Sequence, residues 1–283
     1  MTGELELIAA AVTGALTGGV VKPFTAPFEA VGEHWKAKVA ARLARADERA
    51  RVKASGRSLV VNERVAFKVL TEAAFTDDTV VVEYLAGVLA GTEDPGDDAA
   101  ASVLALIGRL SGLQLRLHFV CYRSLWQLER DGSWYGSPVD FRDQIVLGRL
   151  PLFIGARDLV LALGGGWVTP AAGSMVWSAC RVLAREDLFG DFQSGSGVIR
   201  RHGGPSPPWC YDDAATLEMF YDHRFDDDGL VFQPSPAGIE LFLWGCGANS
   251  HDPAAFPSLR AEQVEQFPIQ SSAAVRVERL PPR

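Results

Sequence analysis

Apolar and polar residues alternate along the first half of the chain with the period of helices. Phe24, Phe28, Val31, Trp35, Val39, Leu43, Ala46 and Ala50 recur at spacings of three and four, which lines them along one side of a single long helix over residues 24–56. Pro23 and Pro27 stand near its start. Proline is tolerated in a first helical turn and not beyond it, so regular helix is expected from about Pro27. At 1.5 Å per residue such a helix extends roughly 45 Å, longer than a small domain is wide, so it should project from the rest or lie along its outside.

Shorter helices follow. Val61, Val65, Val69, Leu70 and Ala73 define one apolar face, and Val81, Tyr84, Leu85, Val88 and Leu89 define the next, with Thr76, Asp77 and Asp78 as cap chemistry before it. The run Glu93, Asp94, Pro95, Gly96, Asp97, Asp98 reads as a turn and a fresh cap. Val103, Leu106, Ile107 and Leu110 then make a third face. After Ser111 and Gly112, helical spacing resumes through Leu113, Leu117, Val120, Cys121, Ser124, Leu125 and Leu128.

The second half changes character. Turn-rich breaks at residues 132–136 and 164–166 flank a mixed apolar segment over 139–163, and residues 175–188 read as helix. A polar insert rich in Gly, Ser, Pro and Asp occupies 191–229, with a short helix expected over 212–221. Leu230, Val231, Phe232 and Gln233 read as a strand, and an apolar helix over 239–246 follows Pro234 and Pro236. The expectation is a mostly α protein with a small α+β part. Its domains are a helical bundle over 1–131 led by the long amphipathic helix, a winged-helix-like α+β module over 132–250 and a tail over 251–283.

Charge alters this picture more than composition does. The 283 residues carry a net charge of −8, yet residues 33–57 hold eight Lys or Arg against three Asp or Glu. Lys38, Arg42, Arg45, Arg49 and Lys53 recur at three and four and form a cationic stripe on the long helix. Two readings stand side by side. The stripe pairs with the seven carboxylates of residues 77–98, in the same chain or a neighbouring subunit, or it serves nucleic acid or an anionic membrane. The stripe lacks interleaved aromatics, which favours pairing. Phe24, Phe28 and Trp35 offer the large apolar contact typical of interfaces. With Lys38, Arg42, Arg45, Arg49 and Lys53 they are the interface candidates.

Candidate chemistry is thin. Cys121, Cys180, Cys210 and Cys246 are scattered and include no Cys-x-x-Cys pair, which fits a reducing cytoplasm. Residues 7–21 are apolar but too short for a bilayer span of about 20 residues, and Glu4 and Glu6 precede them where a secretory signal carries basic residues. No phosphate loop, His-Glu-x-x-His or Gly-x-Ser-x-Gly elbow occurs. His202, Cys210, Asp212, Asp213, His223, Asp226, Asp227 and Asp228 share the polar insert and are metal-ligand types, but the Asp residues read equally as helix cap and turn. His118 and Cys121, one turn apart on an apolar helix, read as core. No cofactor, metal site or catalytic residue is assigned.

Four phrases in order carry a family resemblance: Lys22-Pro23-Phe24 with the long helix to Lys53, Glu83 to Ala90, Leu106-Ile107-Gly108-Arg109-Leu110-Ser111, and Phe232 to Phe242. The chain resembles the Abi-alpha family of bacterial proteins, linked by name to abortive infection. It departs from that pattern in having Pro234-Ser235 before the last helix, where a Leu-Thr is usual, and in the long insert. The resemblance implies a role in defence against phage and carries over no catalytic residue. The expectation is a non-enzymatic defence protein working through protein contacts as a homo-oligomer, with a nucleic-acid-binding winged-helix regulator and a membrane-damaging effector as alternatives.

Overall fold

A computed structural model describes residues 27–54, 63–92, 98–131, 139–163, 170–195, 229–248, 250–269 and 277–279. The apolar segment 7–21, Phe24, Val61, the turns at 93–97 and 132–136, the expected helix over 212–221 and all metal-ligand types of the insert lie outside the described residues.

The protein is mostly helical with one small antiparallel sheet. In chain order come α1 (Pro27–Ala54), α2 (Glu63–Phe75), α3 (Thr79–Gly91), α4 (Asp98–Ile107), α5 (Gly112–Arg130) and α6 (Gln144–Gly148). Strand β1 (Leu152–Gly155), α7 (Ala156–Ala162), α8 (Pro170–Arg185), β2 (Phe189–Gly195), β3 (Gly229–Pro234) and α9 (Pro236–Gly245) follow. The chain closes with a 3-10 turn (Pro253–Ser258), α10 (Ala261–Glu265) and β4 (Val277–Arg279).

The chain divides into two compact units, and the division differs from a break after residue 131. The first comprises Met1–Gly112, Leu243–His251 and Arg260–Pro268, and the second comprises Leu113–Phe242, Asp252–Leu259 and Ile269–Arg283. Helix α5 thus belongs with the sheet, and the expected tail supplies structure to both units.

In the first unit α1 starts at Pro27, where the proline pattern places it, and runs about 42 Å. Its stripe Val39, Leu43, Ala46 and Ala50 is buried against its own unit. Asp78 caps α3, its carboxylate accepting from the Val80 amide at 2.9 Å. The sequence pattern gives α3 one apolar face, but it is buried on nearly all sides from Val80 to Gly91, with Glu83 its one charged residue. Such a helix is the centre of its unit. A Cβ on Gly87 would overlap the Gly245 carbonyl, so glycine lets α3 and the chain after Phe242 approach backbone to backbone.

The second unit gathers aromatic rings around its sheet. Its sheet has the order β2-β3-β1-β4, with Leu152 opposite Phe232 and Phe192 also opposite Phe232. Strand β2 takes residues 189–195, and its last five, from Asp191, fall within the expected polar insert. The correction has a physical cause: β2 is an edge strand with few apolar residues, and its strand character comes from pairing with β3. Tyr122 of α5 has its ring centroid 6.3 Å from each of Phe189, Phe232 and Phe242. Phe256, from the expected tail, sits 5.1 Å from Phe141 and 5.8 Å from Phe242 and is fully buried.

Candidate functional site

The cationic stripe meets carboxylates of its own unit in two places. Arg42 grips Asp77 with two guanidinium nitrogens, Nε to Oδ1 at 2.8 Å and Nη2 to Oδ2 at 2.5 Å, and its remaining nitrogen donates to the Ala74 carbonyl at 2.7 Å. That carbonyl lies in the last turn of α2, where backbone acceptors lack helical partners and a cation is favourable. Lys38 reaches the same carboxylate at 3.1 Å from a half-exposed position. The two cations hold the Asp77 carboxyl below the usual carboxylate range, Arg42 contributing most.

Three turns along the stripe the partner is Glu83 of α3. Arg49 donates to one carboxylate oxygen and to the Gln266 carbonyl, and Lys53 lies 3.1 Å from the other oxygen. Lys53 has 0% exposure, and its ammonium stands 4.2 Å over the Phe267 ring. Burial pulls the Lys53 ammonium down from its ordinary range, and the Glu83 carboxylate only partly offsets this. Cys246 lies in the same neighbourhood, its thiol pushed up to about 12 by burial.

Of the eight interface candidates, Lys38, Arg42, Arg49 and Lys53 are therefore brought onto two carboxylates of the same chain, and Arg45 is exposed. Phe28 and Trp35 fall within α1, though their side chains lie outside the described residues, as does Phe24 altogether. Sequence reasoning named residues 77–98 as the acidic partner but not Glu83 in particular. Its signal was present: a lone carboxylate in a helix of otherwise apolar residues needs a cation when that helix is central.

A second polar junction lies inside the other unit. The α8 helix ends with Leu188 N donating to Leu183 O at 2.8 Å and Asp187 N to Ala184 O at 3.1 Å, which places Asp187 at φ 57°. That left-handed position usually belongs to glycine. Here it is clamped: Ser235 Oγ donates to the Asp187 carbonyl at 2.6 Å, and Tyr122 donates to the Leu188 carbonyl at 2.5 Å. The Tyr122 oxygen accepts from Ser235 N at 2.9 Å, and Ser235 Oγ accepts from Gly238 N at 3.0 Å, capping α9. His118 Nε2 donates to the Gly238 carbonyl at 2.9 Å, and burial lowers its pKa to about 3, so it is the neutral ring. Burial also raises the Tyr122 phenol and the Cys121 thiol. His118 and Tyr122 are enclosed and hydrogen-bonded to the fold, and Cys121 is fully buried, as the core reading of His118 and Cys121 has it.

Elsewhere large apolar side chains stand in solvent. Phe67 and Phe75 on α2 are 49% and 61% exposed, and Met175 and Trp177 on α8 are 47% and 44% exposed. Trp177 carries the Arg181 guanidinium 4.8 Å from its ring. Sequence reasoning passed over these residues because they fall between the apolar faces it followed. Among the described residues no three His, Cys, Asp or Glu are placed to hold a metal ion, and no single helix is long and apolar enough to cross a membrane. Comparison with protein-family models, with curated proteins and with solved structures finds no match for this chain.

Proposed function

We propose that the protein is a non-enzymatic component of bacterial defence against phage, acting in the cytoplasm through protein contacts as a homo-oligomer that senses or executes the response. The observation that carries the contact-based part is the distribution of its side chains. Phe67, Phe75, Met175 and Trp177 are presented to solvent on helices, whereas Lys53, His118, Cys121 and Cys246 are sealed in the interior. Exposed aromatics on rigid helices are the anchors of protein interfaces. The defence part rests on the ordered phrases that resemble the Abi-alpha family.

Two measurements test it. Expression in a bacterial host followed by phage challenge should lower plaque number relative to empty vector, and equal plaque numbers across a phage panel would remove the defence role. Light scattering of the purified chain over a concentration series should show mass above one chain.

A nucleic-acid regulator built on a winged-helix-like module is the second reading. It is supported by one feature, the exposed row Trp177, Arg181 and Arg185 on α8, which pairs an aromatic plane with cations. The stripe of α1 adds little to it, since four of its cations already face carboxylates. Duplex DNA bound at low salt with a steep salt dependence would favour this reading, and no binding at low salt would remove it. Membrane damage through residues 7–21 predicts association with anionic liposomes that is lost on deleting that segment.

A further inference from the structure

The outward side of α2 is a self-complementary surface. Val65, Ala66, Val69, Leu70, Ala73 and Ala74 are buried and hold the helix to its unit. The opposite side carries, in order, Arg64, Phe67, Lys68, Thr71, Glu72 and Phe75, followed by Asp77 just past the helix end. Cations occupy the first part and carboxylates the last, with one phenylalanine on each side of Thr71.

We infer that this α2 face binds the same face of a second copy of the chain, antiparallel, about a two-fold axis at Thr71. Under that symmetry a surface must match itself, residue i meeting j as j meets i. Phe67 then lies against Phe75 of the second copy, and Thr71 lies against its own equivalent. Arg64 comes to the Asp77 stretch of the second copy, and Lys68 lies within about 3 Å of axial rise of its Glu72, easily spanned by these side chains. Asp77 already faces Lys38 and Arg42 but remains 63% exposed at its side chain, so it has a free flank for a third cation. The parallel alternative sets cation on cation and carboxylate on carboxylate, which costs specificity and rate of association.

The face is about 20 Å long, at the small end of what a stable interface covers. The dimer is therefore concentration-dependent and forms as copies accumulate. This rests on the proposal that the protein works through contacts between copies, and it names the contact.

The test is sedimentation of the full chain over a concentration series, with circular dichroism as the check on folding. Wild type should show a monomer–dimer equilibrium. F67S/F75S should weaken it by at least about tenfold, as loss of two buried aromatic anchors implies. K68E alone and E72K alone should each weaken it, and K68E/E72K should restore it, a rescue that a merely structural role for either residue does not produce. T71C should give a disulfide-linked dimer under mild oxidant, beyond any formed by wild type. A dimer indifferent to all these changes, with no T71C cross-link, overturns the α2 face and leaves self-association standing. A wild-type chain that stays monomeric at every concentration overturns both.

Discussion

Two buried polar junctions hold this molecule together, one ionic and one neutral. In the first unit Glu83 sits between Arg49 and Lys53, with cations outnumbering the carboxylate in a nearly dry site. In the second unit Tyr122, Ser235 and His118 join the end of α8 to the start of α9 through uncharged donors and backbone carbonyls. The ionic junction accompanies the small side chains Ala46, Ala50 and Ala54 of α1 and the Tyr84–Phe267 ring pair, and the neutral one accompanies the tilted and edge-on rings of Phe189, Phe232 and Phe242. Beside the small apolar stripe of α1 the charges at Glu83 are enclosed, so docking of the helix depends on each buried charge keeping its partner. At the neutral junction no charge needs a counter-charge, and the polar groups have only to set geometry.

The contrast is broken most severely at Glu83. Glu83→Ala leaves Lys53 enclosed with no counter-charge and should lower stability by about 3–5 kcal/mol in urea unfolding. Lys53→Met with Glu83→Leu removes both buried charges and should recover most of that loss. A single variant as stable as wild type would mean that the site is wet and the junction ordinary.

Acid sharpens the neutral side. Burial holds the folded pKa of His118 at about 3 against an ordinary 6.5, so below pH 6.5 the unfolded chain takes up a proton that the folded chain refuses. Stability should fall from that point and level off near pH 3, the loss reaching about 2 kcal/mol at pH 5. His118→Gln keeps a donor for the Gly238 carbonyl and should flatten that part of the profile. Matching profiles for the two proteins would show that His118 is protonated inside the fold.

Tyr122→Phe should cost about 1–2 kcal/mol, because the Ser235 amide and the Leu188 carbonyl each lose a buried partner while the ring contacts survive. A loss as large as that of Glu83→Ala would erase the distinction between the junctions. The smallest effect belongs to Lys38→Ala. Its ion pair with Asp77 is exposed and screened, and the melting temperature should not change measurably at physiological salt. A clear drop would mean that the whole stripe, and not only its buried end, holds α1.

Local signals made part of this legible from residues alone. Pro27 announced the start of α1, Asp78 the cap of α3 and the run Leu230–Gln233 the centre of β3, because each depends on neighbours in sequence. What escaped depends on distant partners. Strand β2 reads as a polar loop until β3 pairs with it, and Phe256 reads as tail until Phe141 and Phe242 enclose it. Lys53 looks like one more cation on a stripe, and only α3 and the segment around Phe267 make it a buried one. The exposed Phe67 and Phe75 were visible as aromatics off the apolar face of α2, a pattern that periodicity alone treats as noise.

The first unit is sewn from both ends of the chain, and this sets an order of events during synthesis. Lys53 and Glu83 emerge early, but Phe267, whose ring lies under the Lys53 ammonium, and Gln266, whose carbonyl takes Arg49, are made some two hundred residues later. At about 5–20 residues per second the ribosome leaves this junction without its last cover for roughly 10–40 s. During that interval α1 through α4 stand as an unfinished assembly with an open ionic seam, the period in which a nascent chain most needs a chaperone.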